Sequence, residues 1–212
     1  MIRIAESARV LGKLRIGTGA YIAQGTVVRS MAGNIQIGNN SMVLENSVIV
    51  GSREFPVDIG SKTVFGHKSI VLGASIGDLC EIGNKTIFMP GSKMGTMCIT
   101  GEGTLIPTGM IIPQESVVVG RPAKVIRRLT KEDQAMIKKM RGDDISLSIY
   151  KENIIHEAMR GDSMGTLYHY RDKYPEIGEN TYLYDSSEIT GDVKVGNNTV
   201  IGAGVKIIGD GH

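Results

Sequence analysis

The chain has 212 residues, with 24 Lys and Arg against 22 Asp and Glu for a formal charge of +2. That length builds one sizeable domain or a domain with an appendage, and the near-neutral balance excludes the charge excess that tracks a nucleic-acid backbone or an anionic membrane. Two cysteines cannot staple a disulfide framework, no apolar run approaches a membrane span, and Met1-Ile2-Arg3-Ile4 does not lead into a signal-peptide core. A soluble protein of the reducing cytoplasm is expected, with neither nucleic acid nor membrane as partner.

From the N-terminus, aliphatic residues recur every sixth place: Ile4, Val10, Ile16, Ile22 and Val28, then Ile37, Val43 and Ile49. The register continues through Ile59, Phe65, Val71, Ile76, Ile82, Phe88, Met94, Thr100, Ile106 and Ile112, with Thr100 the one polar member. Two places earlier stands a small residue, as at Ala20, Thr26, Ser41, Ser47, Thr63, Ser69, Ala74, Cys80, Thr86, Ser92, Cys98 and Thr104. A six-residue unit with one large and one small inward side chain reads as a short strand plus a tight turn, with glycines supplying turn conformations of positive φ. Three units close a triangular coil of 18 residues, so about six coils are expected, stacked as a parallel β-helix around a column of aliphatics. The fold class is all-β. Two long steps, Val28 to Ile37 and Ile49 to Ile59, predict corner loops, and the short step from Val71 to Ile76 predicts a tightened corner.

The pattern stops at Val119-Gly120-Arg121-Pro122-Ala123. Thr130 followed by Asp133 reads as a capping box, Met136 and Met140 are four apart, and Gly142 stops the run, predicting a helix over 130–141. A second amphipathic pattern, with Ile145/Ile149 and Ile155/Met159 as pairs, predicts another helix over 144–160. Both are expected to pack along an outer face of the β-helix. The six-residue register then resumes at Ile177, Leu183, Ile189, Val195, Ile201 and Ile207, and sliding this tail over the start pairs Gly12 with Gly191 and Ile16 with Val195. The expected organisation is therefore 1–119 β-helix, 120–174 linker and helices, and 175–212 a short second repeat segment. Two coils are too few to stand alone, so the tail is expected to dock on an end of its own β-helix or on a neighbouring chain.

The string from Phe65-Gly66-His67-Lys68-Ser69 to Ile76-Gly77-Asp78, and the later Gly120-Arg121-Pro122-Ala123-Lys124, resemble the γ-class carbonic anhydrases and their relatives among bacterial proteins of phenylacetate and carnitine metabolism. The resemblance covers about residues 4–140. It implies a left-handed β-helix, a homotrimer, and zinc held between subunits by three histidines, two from one chain and one from the next. Carried onto this sequence, the first histidine position falls on Val50, the second on His67 and the third on Leu72. Arg29 matches the family's interface arginine, with Met31 at its partner's place, and Glu45 stands where an interface aspartate is usual, beside Leu44 in place of a glutamine.

A catalytic zinc takes about three protein ligands and serves to generate hydroxide at neutral pH. With His67 the one family-type ligand left, neither a metal nor another cofactor is expected, and little or no CO2 hydration; His156, His169 and His212 lie outside the matching coils. The reading is a binding or accessory role at the subunit clefts, with a small-molecule ligand there and His67, Arg29 and Glu45 as the candidate site residues. Two alternatives stand beside it: an acyltransferase that takes acyl-CoA and uses His67 as general base, and an assembly protein. The favoured structural reading of His67 is a side chain that only hydrogen-bonds across an interface, and that of Arg29 with Glu45 is a subunit ion pair ahead of a carboxylate grip. Cys80 and Cys98, one coil apart, read as stacked buried thiols. The loop 51–58 is read as a corner loop near the cleft that could serve as a lid.

Overall fold

The computed structural model describes residues 2–30, 35–141, 153–155, 165–183, 187–202 and 204–209. Two compact units, 1–158 and 159–212, divide the chain.

In the first unit three parallel sheets form the walls of a left-handed β-helix. The first wall runs Arg3–Ile4, Tyr21–Ile22, Met42–Val43, Val64–Phe65, Glu81–Ile82 and Ile99–Thr100. The second runs Arg9–Leu11, Val27–Ser30, Val48–Gly51, Ile70–Leu72, Ile87–Phe88 and Leu105–Ile106. The third runs Leu14–Ile16, Ile35–Ile37, Val57–Ile59, Ser75–Ile76, Lys93–Met94 and Ile111–Ile112, which completes six coils. Every position of the expected register from Ile16 to Ile112 is buried, and these residues form one continuous core. Phe65 and Phe88 meet edge to face inside it, ring centres 6.3 Å apart.

The small inward residues do more than leave room. Thr63 Oγ1 donates to Gly77 O at 2.7 Å, Thr86 Oγ1 to Gly83 O at 2.7 Å and Thr104 Oγ1 to Gly101 O at 2.7 Å. Buried hydroxyls thus satisfy corner carbonyls that the strand ladders cannot reach. Thr100 is accommodated with the opposite polarity, its hydroxyl accepting from Gly83 N at 2.9 Å.

The glycines of the aliphatic-Gly dipeptides differ from expectation. Turn residues of positive φ include Asn40, Lys62, Lys68, Leu79 and Lys85 as well as glycines such as Gly91. Gly60, by contrast, has ordinary φ, and a Cβ there would lie 2.6 Å from Asp78 N in the next coil. Close approach of stacked backbones, and not turn geometry, excludes a side chain. The shortened corner after Val71 does use the left-handed region: Gly73 has φ +53, and a Cβ there would overlap Phe55.

After the last coil, Ser116–Gly120 adds to the first wall and turns back antiparallel into Ala123–Arg128, a hairpin where a linker was expected. One helix, α1 (Lys131–Arg141), follows. Its capping box is formed: Thr130 N donates to Asp133 Oδ2 at 2.9 Å and Asp133 N to Thr130 Oγ1 at 3.1 Å. Ile137 is its buried residue, packed with Leu79, Met97, Val117 and Leu129, while Met136 and Met140 are exposed. Arg141 clasps Glu81 through two 2.6 Å hydrogen bonds, fixing the last turn on the first wall. The second helix expected over 144–160 is described only at Asn153–Ile155, and there the chain is extended, pairing antiparallel with Leu14–Ile16. An edge strand's unpaired backbone groups outcompete local helix preference. The rest of that segment lies outside the described residues.

The second unit repeats the pattern on a small scale. Thr166–Tyr168, Glu188–Gly191 and Lys206–Gly209 stack in parallel, as do Glu176–Ile177 with Lys194–Val195 and Tyr182–Leu183 with Val200–Ile201. No helix among the described residues is long and apolar enough to cross a membrane.

Candidate functional site

The second wall and the corner that leads into it carry the residues of interest. Strand pairing places Arg29 opposite Val50, and Val50 opposite Leu72. Their inward neighbours Val28, Ile49 and Val71 are buried, so alternation turns Arg29, Val50 and Leu72 to the outer surface, all half-buried. The three therefore form one column across adjacent strands, with Leu11 next to Arg29 at its start.

His67 lies on the corner between the first and second walls, directly over Glu45 of the preceding coil: Lys68 N donates to Glu45 O at 2.9 Å. The side chains follow the backbone, with His67 Nδ1 2.8 Å from Glu45 Oε2. That oxygen is off the ring's hydrogen-bonding line and has no hydrogen-bond partner, so the contact is electrostatic. The imidazole is 53% exposed. On the other side His67 N donates to Asn84 Oδ1 at 2.8 Å, and Asn84 Nδ2 donates to Glu102 Oε1 at 2.9 Å. Asn84 was not singled out in the sequence, although its place one coil after His67 marks it.

Of the expected site residues, Glu45 and His67 are thus brought into contact, and Arg29 is brought beside Val50. Met31, His156 and His212 lie outside the described residues. His169 belongs to the second unit, where its ring stacks on Tyr174 with centres 5.2 Å apart. Among the described residues no group of three or more His, Cys, Asp or Glu gathers closely enough to hold a metal ion. In the loop after Gly51, Ser52 N donates to Phe55 O at 2.9 Å and Phe55 N to Ser52 Oγ at 3.0 Å, a tight turn that seats Phe55 on Gly73.

Cys80 and Cys98 are free and buried, one above the other. Cys80 Sγ donates to Gly95 O at 3.2 Å, and burial pushes its thiol well above the ordinary range. On the third wall a shallow groove of about 460 Å³ is lined by Asp58, Ser75, Asp78, Lys93, Met94 and Ile111, among others. Burial first, and the neighbouring Asp78 second, raise the Asp58 carboxyl above its usual range.

These features define a hexapeptide-repeat β-helix protein with a histidine–carboxylate contact at one corner. A family model, bacterial transferase hexapeptide (six repeats), matches residues 174–209. A carbonic anhydrase of Geobacillus kaustophilus is 30% identical over 147 residues, 69% of this chain and 81% of that protein. The mitochondrial γ carbonic anhydrase 2 of Arabidopsis thaliana is 27% identical over 151 residues, 68% of this chain. The chain spans about half the length of that plant relative, 54%. Among solved structures, a hexapeptide transferase family protein from Anaplasma phagocytophilum superposes with a TM-score of 0.57 at 25% identity, over 66% of this chain and 86% of that one. The chain belongs to the γ-carbonic-anhydrase-like family of hexapeptide-repeat proteins.

Proposed function

We propose that this chain is a γ-carbonic-anhydrase-like trimer that has given up its zinc and uses the subunit cleft to bind a small molecule, with little or no CO2 hydration. The observation that carries the reading is the register pair Val50 and Leu72. Two side chains without a lone pair stand side by side where the family resemblance calls for two of its three imidazoles. His67 on the adjoining corner is a single donor, and a catalytic zinc takes about three. The residues present do not fit the metal, so no step is routed through one. Cytoplasmic location and trimeric assembly belong to the same proposal, the former supported by two free thiols and the latter by the family. CO2 hydration followed in a stopped-flow instrument with zinc added should match the buffer rate. Zinc-dependent hydration that survives dialysis overturns the reading.

The contact between His67 and Glu45 favours a second reading, acyl transfer from acyl-CoA. A carboxylate beside Nδ1 favours the tautomer that carries its proton there, which would leave the Nε2 lone pair to act as the base. Nε2 would take the proton from an acceptor hydroxyl or amine as that atom attacks the thioester carbonyl; the C–S bond breaks, and the CoA sulfur leaves and regains a proton. Acetyl-CoA turnover that disappears in His67→Ala supports this reading, and turnover unchanged by that substitution removes it.

A further inference from the structure

We infer that the outer column of the second wall is a seat for a short-chain aliphatic carboxylate, with the charged end on Arg29 and the tail along Val50 and Leu72. This rests on the zinc-free reading above and names the ligand class that face would take. The column is continuous: Leu11, Arg29, Val50 and Leu72 are successive register partners, and Met89 follows Phe88, the partner of Val71. Adjacent strands lie ~4.8 Å apart, so Arg29 to Leu72 spans roughly 10 Å, about the reach of an extended hexanoate.

The chemistry is split along that span. A guanidinium offers five donors in a planar fork and can grip a carboxylate edge-on while another of its donors serves a neighbour in the protein. Val50 and Leu72 offer half-buried apolar surface, and a ligand gains from that surface only by carrying methylenes over it. Bicarbonate and acetate have no tail to lay there. An alkylammonium has the tail but meets Arg29 with the wrong sign.

Isothermal titration of the full chain with sodium hexanoate, sodium acetate and hexylammonium chloride tests the inference. Hexanoate should bind at least about tenfold more tightly than acetate, because several methylenes leave water, and hexylammonium should not bind. Arg29→Gln should weaken hexanoate about tenfold or more. The double variant Val50→Ser/Leu72→Ser keeps Arg29 and should bring hexanoate down to the acetate level, with circular dichroism and native mass confirming that it folds and assembles as the parent does. Equal affinity for the two acids, a tail preference unchanged in the double variant, or no hexanoate binding overturns the inference. Metal analysis of the same samples separates the two failures: a metal-free protein that ignores hexanoate refutes this inference alone, whereas stoichiometric zinc refutes the reading beneath it.

Discussion

The two units share one register and differ in what it achieves. In the first, Ile22, Ile59 and Phe65 have coils above and below and lose all contact with water, each at 0% exposure. In the second, Leu183 and Ile189 are buried, whereas Val195, Ile201 and Ile207 remain half-buried although they hold equivalent places in their coils. The corners are built alike: Gly12 and Gly191 have φ +84 and +80. A six-residue repeat therefore specifies the cross-section of a coil. The core comes from stacking depth, as expected for an array whose units cannot bury their faces alone.

Emptying the same register position in both units should give the largest contrast. Ile49→Ala, on the wall that matches Ile207, should cost about 2–5 kcal/mol, since a void forms among fully packed neighbours. Ile207→Ala, at a half-buried place, should cost less than about 1 kcal/mol. Denaturant titration of each variant measures both, and equal losses would refute the stacking argument.

Corners give the next largest contrast. Gly73→Ala should cost about 2–3 kcal/mol, because it adds left-handed strain to an overlap with Phe55. Gly103 has φ +65 with nothing near its missing Cβ, so Gly103→Ala should cost about 1 kcal/mol from strain alone. In a double-variant cycle, Phe55→Gly, which removes the Cβ that the new methyl meets, should lessen the cost of Gly73→Ala and leave that of Gly103→Ala unchanged, which melting temperatures of the single and double variants will show.

Smaller still is the clasp that seats α1. Arg141 and Glu81 are largely buried, with side chains 20% and 21% exposed, and Glu81→Gln should cost about 1 kcal/mol in thermal unfolding. The smallest effect is at Asp133, a partly buried carboxylate that caps the helix and faces the exposed Arg127. Arg127 first, and the Thr130 backbone second, hold its carboxyl at about 2, below the ordinary 3.8. A folded-state value below the unfolded one gives stability that is present above the unfolded value and lost as pH falls through the folded one. The stability difference between the parent and Asp133→Asn should therefore shrink as pH falls from about 4 to about 2, and salt should shrink it further. A difference that grows on acidification would contradict the assigned partners.

Much of this was legible in the sequence, because a period-six register is a cross-section written out in order. The stack of Arg29, Val50 and Leu72 was legible too: each long step in the register lengthens its coil, which is why these residues stand 21 and 22 apart instead of the usual 18. What escaped was decided by backbone groups in search of partners. Ala123–Arg128 pairs with the last strand of the first wall, and Asn153–Ile155 takes the edge at Leu14–Ile16 against a helical pattern. The contact of His67 with Glu45 was illegible for a related reason, since it follows from the corner bond between Lys68 N and Glu45 O and not from any motif.

Elemental analysis of the purified full chain, after dialysis against zinc-containing and then zinc-free buffer, tests most directly the proposal that Val50 and Leu72 leave the cleft unable to hold zinc. The account predicts zinc far below one ion per chain, and restored retention in the double variant Val50→His/Leu72→His. Zinc held by the unaltered chain at one ion per subunit would contradict it.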